Sequence, residues 1–426
     1  MKPSELIKRI ESGAADGELK RVYVTDSAVE NQKPRYIKTI KKFIELFGDD
    51  RDVSILSAPG RTEICGNHTD HNNGQVLAAS INLDAIAVAA KNDDNMIHEK
   101  SEGHEMNVVD LSDLTPDKAY FGRSASMIKG IAAGLKKEGY KIGGFDACTT
   151  SDVLGGSGLS SSAAFEVLLG NVLSYLYNDG GIDAVTIAKA AQYSENVFFG
   201  KPSGLLDQMA SSVGTFVTID FESTENPVIK KIDFDFSKSG HSLCIIDTHG
   251  NHSDLTDDYA AVRSEMESVA KAMGKNVLRE IPADEFFKSI PKLVDKVNDR
   301  AILRAVHFYN ENTRVEKAVN ALRHDDFEGF KKIITESGFS SYMYNQNVFT
   351  SKKPTEQKLS LALCLSQQLL EGKGAWRVHG GGFAGTIQAF VPNEYLENYR
   401  QTMEAVFGKG SCYVLIIRPV GGTKII

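Results

Sequence analysis

Val153-Leu154-Gly155-Gly156-Ser157-Gly158-Leu159-Ser160-Ser161-Ser162-Ala163-Ala164 is the stretch from which the fold is read. It is a small-residue turn, and the apolar Phe165, Val167, Leu168 and Leu169 continue it as a helix. Gly155, Gly156 and Gly158 let backbone N–H groups approach an anion, and the helix adds its unpaired first-turn N–H groups and the positive end of its dipole. Ser160, Ser161 and Ser162 contribute three more hydroxyl donors and a candidate magnesium ligand. The segment is a candidate phosphate cradle. Taken alone, a Gly/Ser run is equally a flexible turn with a serine helix cap, so its company has to decide.

The chain has 426 residues, 42% of them hydrophobic and 24% charged, enough for two domains of roughly 200 residues each. A formal net charge of -8 and the lack of any long Lys/Arg block argue against a nucleic-acid partner, so an anionic ligand has to be held locally. No apolar run reaches the roughly 20 residues of a membrane span, and Met1-Lys2-Pro3-Ser4-Glu5 lacks the apolar core of a signal peptide. The expectation is a cytoplasmic protein without a membrane partner. Five scattered cysteines, with no C-x-x-C, predict reduced thiols and neither a disulfide frame nor structural zinc.

Working outward, Tyr36, Ile37, Ile40, Phe43, Ile44 and Phe47 recur at helical intervals within a lead-in of about 50 residues, whose first 35 are expected to be a packing arm. Strand-like runs are predicted at 53–56 and at 75–79 through 85–90, and helices at 124–138, 161–178 and 184–199. Another strand follows at 216–221, before a polar, Pro-containing stretch that suggests a domain boundary near residue 225. The second half predicts a strand at 242–247, helices at 256–273, 297–323, 326–336 and 354–371, and closing strands at 386–391 and 412–417. The expected division is an N-terminal extension (1–35) and two domains (36–225 and 226–426).

Three further segments carry polar chemistry. In Ala58-Pro59-Gly60-Arg61 through Gly66-Asn67-His68-Thr69-Asp70-His71-Asn72-Asn73-Gly74, turn formers alternate with groups suited to a hydroxyl-rich sugar. Asn67, His68 and Asp70 offer directed donors and acceptors, and Arg61 can neutralise a phosphate. Asp207, in Gly204-Leu205-Leu206-Asp207-Gln208, stands twelve positions after Glu195. Two acids allow separate tasks, one accepting a proton and the other holding magnesium. His379-Gly380-Gly381-Gly382-Phe383-Ala384-Gly385 is a glycine-rich turn before a strand. No G-x-x-x-x-G-K-[ST] and no protein-kinase signature is present, so ATP needs a different cradle.

In this order the segments resemble the galactokinase branch of the GHMP small-molecule kinases. Residues 60–72 are similar to the sugar-site pattern G-R-x-N-x-I-G-E-H-T-D-Y-N, and 154–163 to the phosphate loop G-G-G-L-S-S-S-A. Glu195 with Gly204–Gln208 resembles the A-E-H and G-I-M-D-Q pair, 253–263 the segment of the sugar-contacting tyrosine, and 380–385 the motif G-G-G-F-G-G. The resemblance implies an α+β, two-domain GHMP kinase fold: an N-terminal α/β domain like ribosomal protein S5 domain 2, a ferredoxin-like α+β C-terminal domain, and an active site in the cleft between them. It implies ATP and Mg2+ with a small-molecule sugar, and transfer of the γ-phosphoryl group to the C1 hydroxyl of galactose. Arg61 and Asp207 then stand at the reacting hydroxyl, and Asn67, His68, Asp70, Gly204 and Tyr259 at the sugar. The phosphate loop, Gly155, Gly156, Ser157, Gly158, Leu159, Ser160, Ser161 and Ser162, falls to ATP, and Ser162 and Glu195 to magnesium, with Ser161 second for the metal. A monomer or weak homodimer is expected.

Three departures stand out. Asn67 replaces the pattern's Glu, which expects a different contact at the sugar's primary hydroxyl; His71 replaces Tyr and Ala384 the fourth glycine. Asn67 keeps open an anomeric kinase for another sugar, such as N-acetylgalactosamine, and a non-catalytic galactose/ATP sensor is the reading from a different class. A metallohydrolase, from the likeness of 66–71 to H-x-H-x-D-H, lacks its first histidine.

Overall fold

The small and apolar residues between 54 and 91 form two long antiparallel strands, β1 (Ser54–Cys65) and β2 (Gln75–Lys91). In the second half of β2 the strand period sends Ala85, Ala87 and Ala89 to one core and Ile86, Val88 and Ala90 to the other. This is a computed structural model, and it describes every residue except 154, 156, 157, 202 and 251–254.

Next in the chain come β3 (Met96–Ser101), β4 (Met106–Asp110), β5 (Phe145–Ser151), β6 (Phe216–Asp220) and β7 (Val228–Ile232). They join β1 and β2 in one sheet, where β5 pairs with the second half of β2 and β6 with the first. β3 and β5 form its parallel pair. A second, antiparallel sheet contains β8 (His241–Asp247), β9 (Ala375–Val378), β10 (Thr386–Pro392) and β11 (Cys412–Leu415), ordered β11-β8-β10-β9. The last strand, β12 (Thr423–Lys424), returns to the first sheet beside β1.

Helices α1 (Pro3–Glu11), α2 (Asp16–Tyr23) and α3 (Asp26–Phe47) lay Leu6, Ile10, Leu19, Val22, Tyr36, Ile40 and Phe43 on the Ile86/Val88 face. On the other face sit α4 (Ser124–Lys137), α5 (Ser161–Tyr177) and α6 (Ala184–Tyr193), while α7 (Leu206–Val213) covers Val76 and Ala78. In the second half the helices 327–340, 358–370 and 396–407 pack on the second sheet, and α8 (Thr256–Ala272) packs against the helix 299–323 and the turn at Phe383–Ala384. No helix of the described residues is long and apolar enough to cross a membrane.

Two differences from the sequence reading matter for the site. β1 runs through Pro59-Gly60-Arg61 to Cys65, so Arg61 and Glu63 stand on a strand, with register shifts absorbing the proline and glycine. The helix expected at 184–199 changes after Tyr193 to a π-helical turn, Ser194–Phe199, which carries Glu195. Such turns widen a helix by one residue and recur at functional sites.

Candidate active site

Arg61 meets Asp207 across 146 residues of sequence because the middle of β1, at Pro59–Arg61, runs beside α7, whose first turn carries Asp207. Arg61 Nε and Nη2 both lie 2.7 Å from Asp207 Oδ1, and Nη1 donates to the carbonyl of Gly158. The remaining carboxylate oxygen, Oδ2, accepts the Ser160 hydroxyl and keeps one lone-pair direction for an incoming donor. Burial pushes the Asp207 carboxyl up, but the Arg61 charge and the hydrogen bonds from Arg61 and Ser160 outweigh it, so the net shift is downward. Asp207 is a carboxylate at neutral pH.

The candidate phosphate loop is tied to the same strand. Arg61 N–H donates to the Leu159 carbonyl at 3.0 Å, and a Cβ on Gly60 would stand 2.7 Å from that oxygen, so only glycine lets loop and strand meet. Gly158 and Ser160 take left-handed backbone, φ 72 and 60°, which turns the chain into the first turn of α5. There Ser161 and Ser162 open the helix, and Leu159 is fully buried. Gly155 lies in the loop, whereas Gly156 and Ser157 fall outside the described residues.

Ser162 Oγ lies 3.4 Å from Glu195 Oε1, so the two candidate metal ligands are neighbours. Glu195 also accepts from Lys201 Nζ at 2.7 Å and from Gln208 Nε2 at 2.9 Å. Behind them is Glu166, fully buried on α5, to which Gln208 Nε2 donates at 3.2 Å. Burial, then the charge of Glu195, raises its pKa well above the usual carboxylate range. Sequence reasoning passed over Glu166 and Lys201. The available signal was a single acid inside the apolar run Ala163–Leu169, one helical turn beyond Ser162.

The sugar-side candidates converge on the glycine turn 380–385. Three consecutive carbonyls of that turn are taken: Gly380 O by Asn67 Nδ2 at 2.8 Å, Gly381 O by His68 Nε2 at 2.9 Å, and Gly382 O by Tyr259 Oη at 2.9 Å. A Cβ on Gly381 would stand 2.6 Å from the Tyr259 ring and one on Gly382 1.9 Å from the Asn347 carbonyl, which explains the glycines. Asp70 is held up by burial, an effect that the His68 charge only partly offsets. Gly204 lies against it, since a Cβ there would sit 3.1 Å from Asp70 Oδ2. Of the tyrosine segment, residues 253 and 254 are outside the described residues.

Asn67 corrects the sequence reading. It is 1% exposed, and its amide is saturated by protein: Nδ2 donates to Glu63 Oε1 at 2.9 Å and to Gly380 O, while Oδ1 accepts from Asn347 Nδ2 at 2.8 Å and Ser341 Oγ at 3.3 Å. An amide has two donors and two lone pairs, so none is left for a sugar. Glu63 was the residue missed. The pattern has an amide at 63 and a carboxylate at 67; this chain has the two exchanged, side by side. Glu63 Oε1 also meets Arg377 Nη2 at 2.9 Å, and that fully buried guanidinium, on β9, donates to the Ile64 carbonyl at 2.7 Å. The exchanged pair thus fastens the first sheet to the second.

Among known sequences, the galactokinase galactose-binding signature matches residues 41–91, and the GHMP kinases N terminal domain matches 126–215. A galactokinase of Actinobacillus pleuropneumoniae is 30% identical over 377 residues, covering 87% of this chain and 92% of its own length. One of Streptomyces coelicolor is 29% identical over 371 residues, covering 86% and 92%. Among solved structures, that of Lactococcus lactis galactokinase complexed with galactose aligns with TM-score 0.75 at 26% identity, covering 90% of this chain and 98% of that one. Methanococcus jannaschii mevalonate kinase, at 16% identity and TM-score 0.58 over 86% of this chain and 98% of its own, shares the fold.

Proposed function

We propose that this chain, which belongs to the galactokinase family of the GHMP kinases, transfers the γ-phosphoryl group of ATP to the C1 hydroxyl of galactose, giving galactose 1-phosphate and ADP. It is a sugar kinase with ATP as co-substrate. The observation that carries the reading is Asp207, held by Arg61 and Ser160 where the phosphate loop enters α5. An acceptor hydroxyl donating to Asp207 Oδ2 stands in front of that helix end, where phosphates are bound.

In the reaction the C1 oxygen forms a bond to the γ-phosphorus in line as the bond to the β,γ-bridging oxygen breaks, and the hydroxyl proton passes to Asp207. A carboxylate with a depressed pKa is a weak base, so the proton moves late and positioning carries much of the rate. Arg61, with its Nη1 on the Gly158 carbonyl, faces the loop and balances charge spreading over the transferring group. Residues 155–162 take the nucleotide phosphates through N–H and hydroxyl donors.

The residues fit Mg2+. Glu195 and Ser162 are hard oxygen donors, and no group of three or more His, Cys, Asp or Glu among the described residues forms a cage of its own. That matches an ion shared with substrate phosphates, whose charge it neutralises when bound. Glu195 would hold it, with Ser162 beside it, and Lys201 would give up its ion pair.

We place galactose against Asp70, His68, Gly204 and Tyr259, in a cleft between domains divided near residue 225. Asn67 alone pointed to a different sugar; with its amide fully occupied by protein, that ground is gone. The chain is proposed to work in the cytoplasm as a monomer or weak homodimer. The test is ADP release from purified protein with ATP, magnesium and a panel of galactose, N-acetylgalactosamine, glucose and arabinose, the phosphorylated carbon being located by NMR. Galactose-specific phosphorylation at C1 is expected. Turnover of another sugar alone, or sugar and nucleotide binding without turnover, would overturn it.

A further inference from the structure

Asp84, in the middle of β2, is fully buried and lies at the level where β5 ends and β1 shifts register on its way to Arg61. On one side it pairs with Pro59, two residues before Arg61; on the other, Asp152 N–H donates to its carbonyl at 3.0 Å, one residue beyond β5. Asp152 is therefore the root of the phosphate loop. Three residues later the loop reaches Gly155, and Gly158 and Leu159 bind back to Arg61.

The N-terminal helices close over this junction. Arg35 of α3 reaches it with one guanidinium: Nη2 pairs with Asp84 Oδ1, while Nη1 meets the Asp84 carbonyl at 3.3 Å and Asp152 Oδ2 at 2.5 Å. Gln32, one helical turn earlier, donates from Nε2 to the same Asp152 oxygen at 3.0 Å. Tyr23 of α2 donates to Asp84 Oδ2 at 2.8 Å. The Arg35 and Asp84 side chains are 11% and 0% exposed, and in so dry a place a charge pair with several hydrogen bonds defines one geometry.

We propose that α3 is a working part of the nucleotide site and that Gln32 and Arg35 are positioning residues, acting through Asp152 to fix the entry of the phosphate loop. This rests on the reading that the loop holds the phosphates of ATP. It gives residues 1–47 a task beyond covering apolar surface. The effect falls on ATP, because the sugar side is held instead by the glycine turn 380–385.

Arg35 also shares buried Asp84 with Arg418, so its removal would disturb a buried charge cluster as well as Asp152. The informative variant is Gln32→Leu/Asp152→Asn, which leaves the Arg35–Asp84 pair in place; the Asp152 side chain is 37% exposed. Lys38→Ala, which removes an exposed pair between α3 and Glu102, is the control for loosening the helix elsewhere. The double variant should raise KM for ATP about tenfold, equivalent to about 1.4 kcal/mol. Its KM for galactose should stay within about twofold, and its melting midpoint within about 3 °C. Lys38→Ala should change neither KM. An unchanged KM for ATP in the folded double variant refutes the proposal, as does an equal rise in both KM values together with a fall in melting midpoint. If the parent protein binds an ATP analogue but phosphorylates no galactose, the functional reading fails by itself. Calorimetric affinity of the same variants for that analogue then decides: a tenfold loss in the double variant upholds the proposal and equal affinity overturns it. A parent that binds no nucleotide overturns it as well.

Discussion

Replacing Asn67 by Glu restores the carboxylate of the family pattern, and the structure says that this change alone will damage the protein. The new carboxylate would face Glu63 Oε1, which now accepts the Asn67 amide at 2.9 Å, and the Gly380 carbonyl, which accepts its other N–H. Two acceptors would lose their donor, each at about 1–3 kcal/mol when buried. Two carboxylates about 4 Å apart add about 4 kcal/mol at an effective dielectric of about 20, an upper bound because one of them can take up a proton. Asn67→Glu should therefore cost about 3–5 kcal/mol. Glu63→Asn alone strips the buried Arg377 of its carboxylate and should cost a similar amount. In Glu63→Asn/Asn67→Glu one carboxylate and one amide again face each other, so the double variant should be more stable than the sum of its parts by at least about 2 kcal/mol. Urea denaturation of the four proteins, with galactose kinetics on those that fold, measures this. Additive losses, or an Asn67→Glu protein within about 0.5 kcal/mol of the parent, would refute the exchange and return Asn67 to the sugar.

Asp207→Asn keeps the shape of the base without its charge; turnover should fall at least about a hundredfold with normal folding, and a smaller loss would make Asp207 only an orienting group. Glu195→Gln should raise the magnesium needed for half-maximal rate by at least about tenfold, read from a metal titration at fixed ATP. His307 is fully buried between Ser340 Oγ and the Asn67 carbonyl, each 2.9 Å from a ring nitrogen, and burial pushes its pKa down to about 4. The unfolded chain then takes up this proton near pH 6.5 and the folded one only near 4, so stability should be lost as pH falls between those values, by about 3 kcal/mol. Melting curves of the parent against His307→Gln isolate that part: the variant should lack it, and parallel pH profiles would show that His307 does not contribute.

The Gly/Ser loop could be read from sequence as a candidate phosphate cradle because that reading is local: close approach of backbone to an anion needs small residues in sequence, and they stand together from 155 to 162. Arg61 and Asp207 were legible as residue types in context, but their contact is a product of β1 running beside α7, which no local pattern states. The proline and glycine at 59 and 60 read as a turn; in a paired strand they became a register shift, since partners on both sides outweighed propensity. Glu166 stayed hidden because an acid in a helix is ordinarily solvated, and only packing shows it to be dry. Asn67 was misjudged for a related reason: a departure at one position reads as altered specificity until its neighbour four residues earlier is seen to carry the matching change.

The strand β12 has a consequence for how the chain is made. Arg418 Nη1 reaches Asp84 at 3.1 Å across 334 residues, and Ile55 N–H donates to the carbonyl of Ile426. During synthesis, then, the first sheet waits for residues that leave the ribosome hundreds of positions later, with Asp84 neutralised until then by Arg35 alone. The leading half of the polypeptide is thus not a unit that can finish folding by itself, and pairing of the trailing segment becomes the step that closes the molecule.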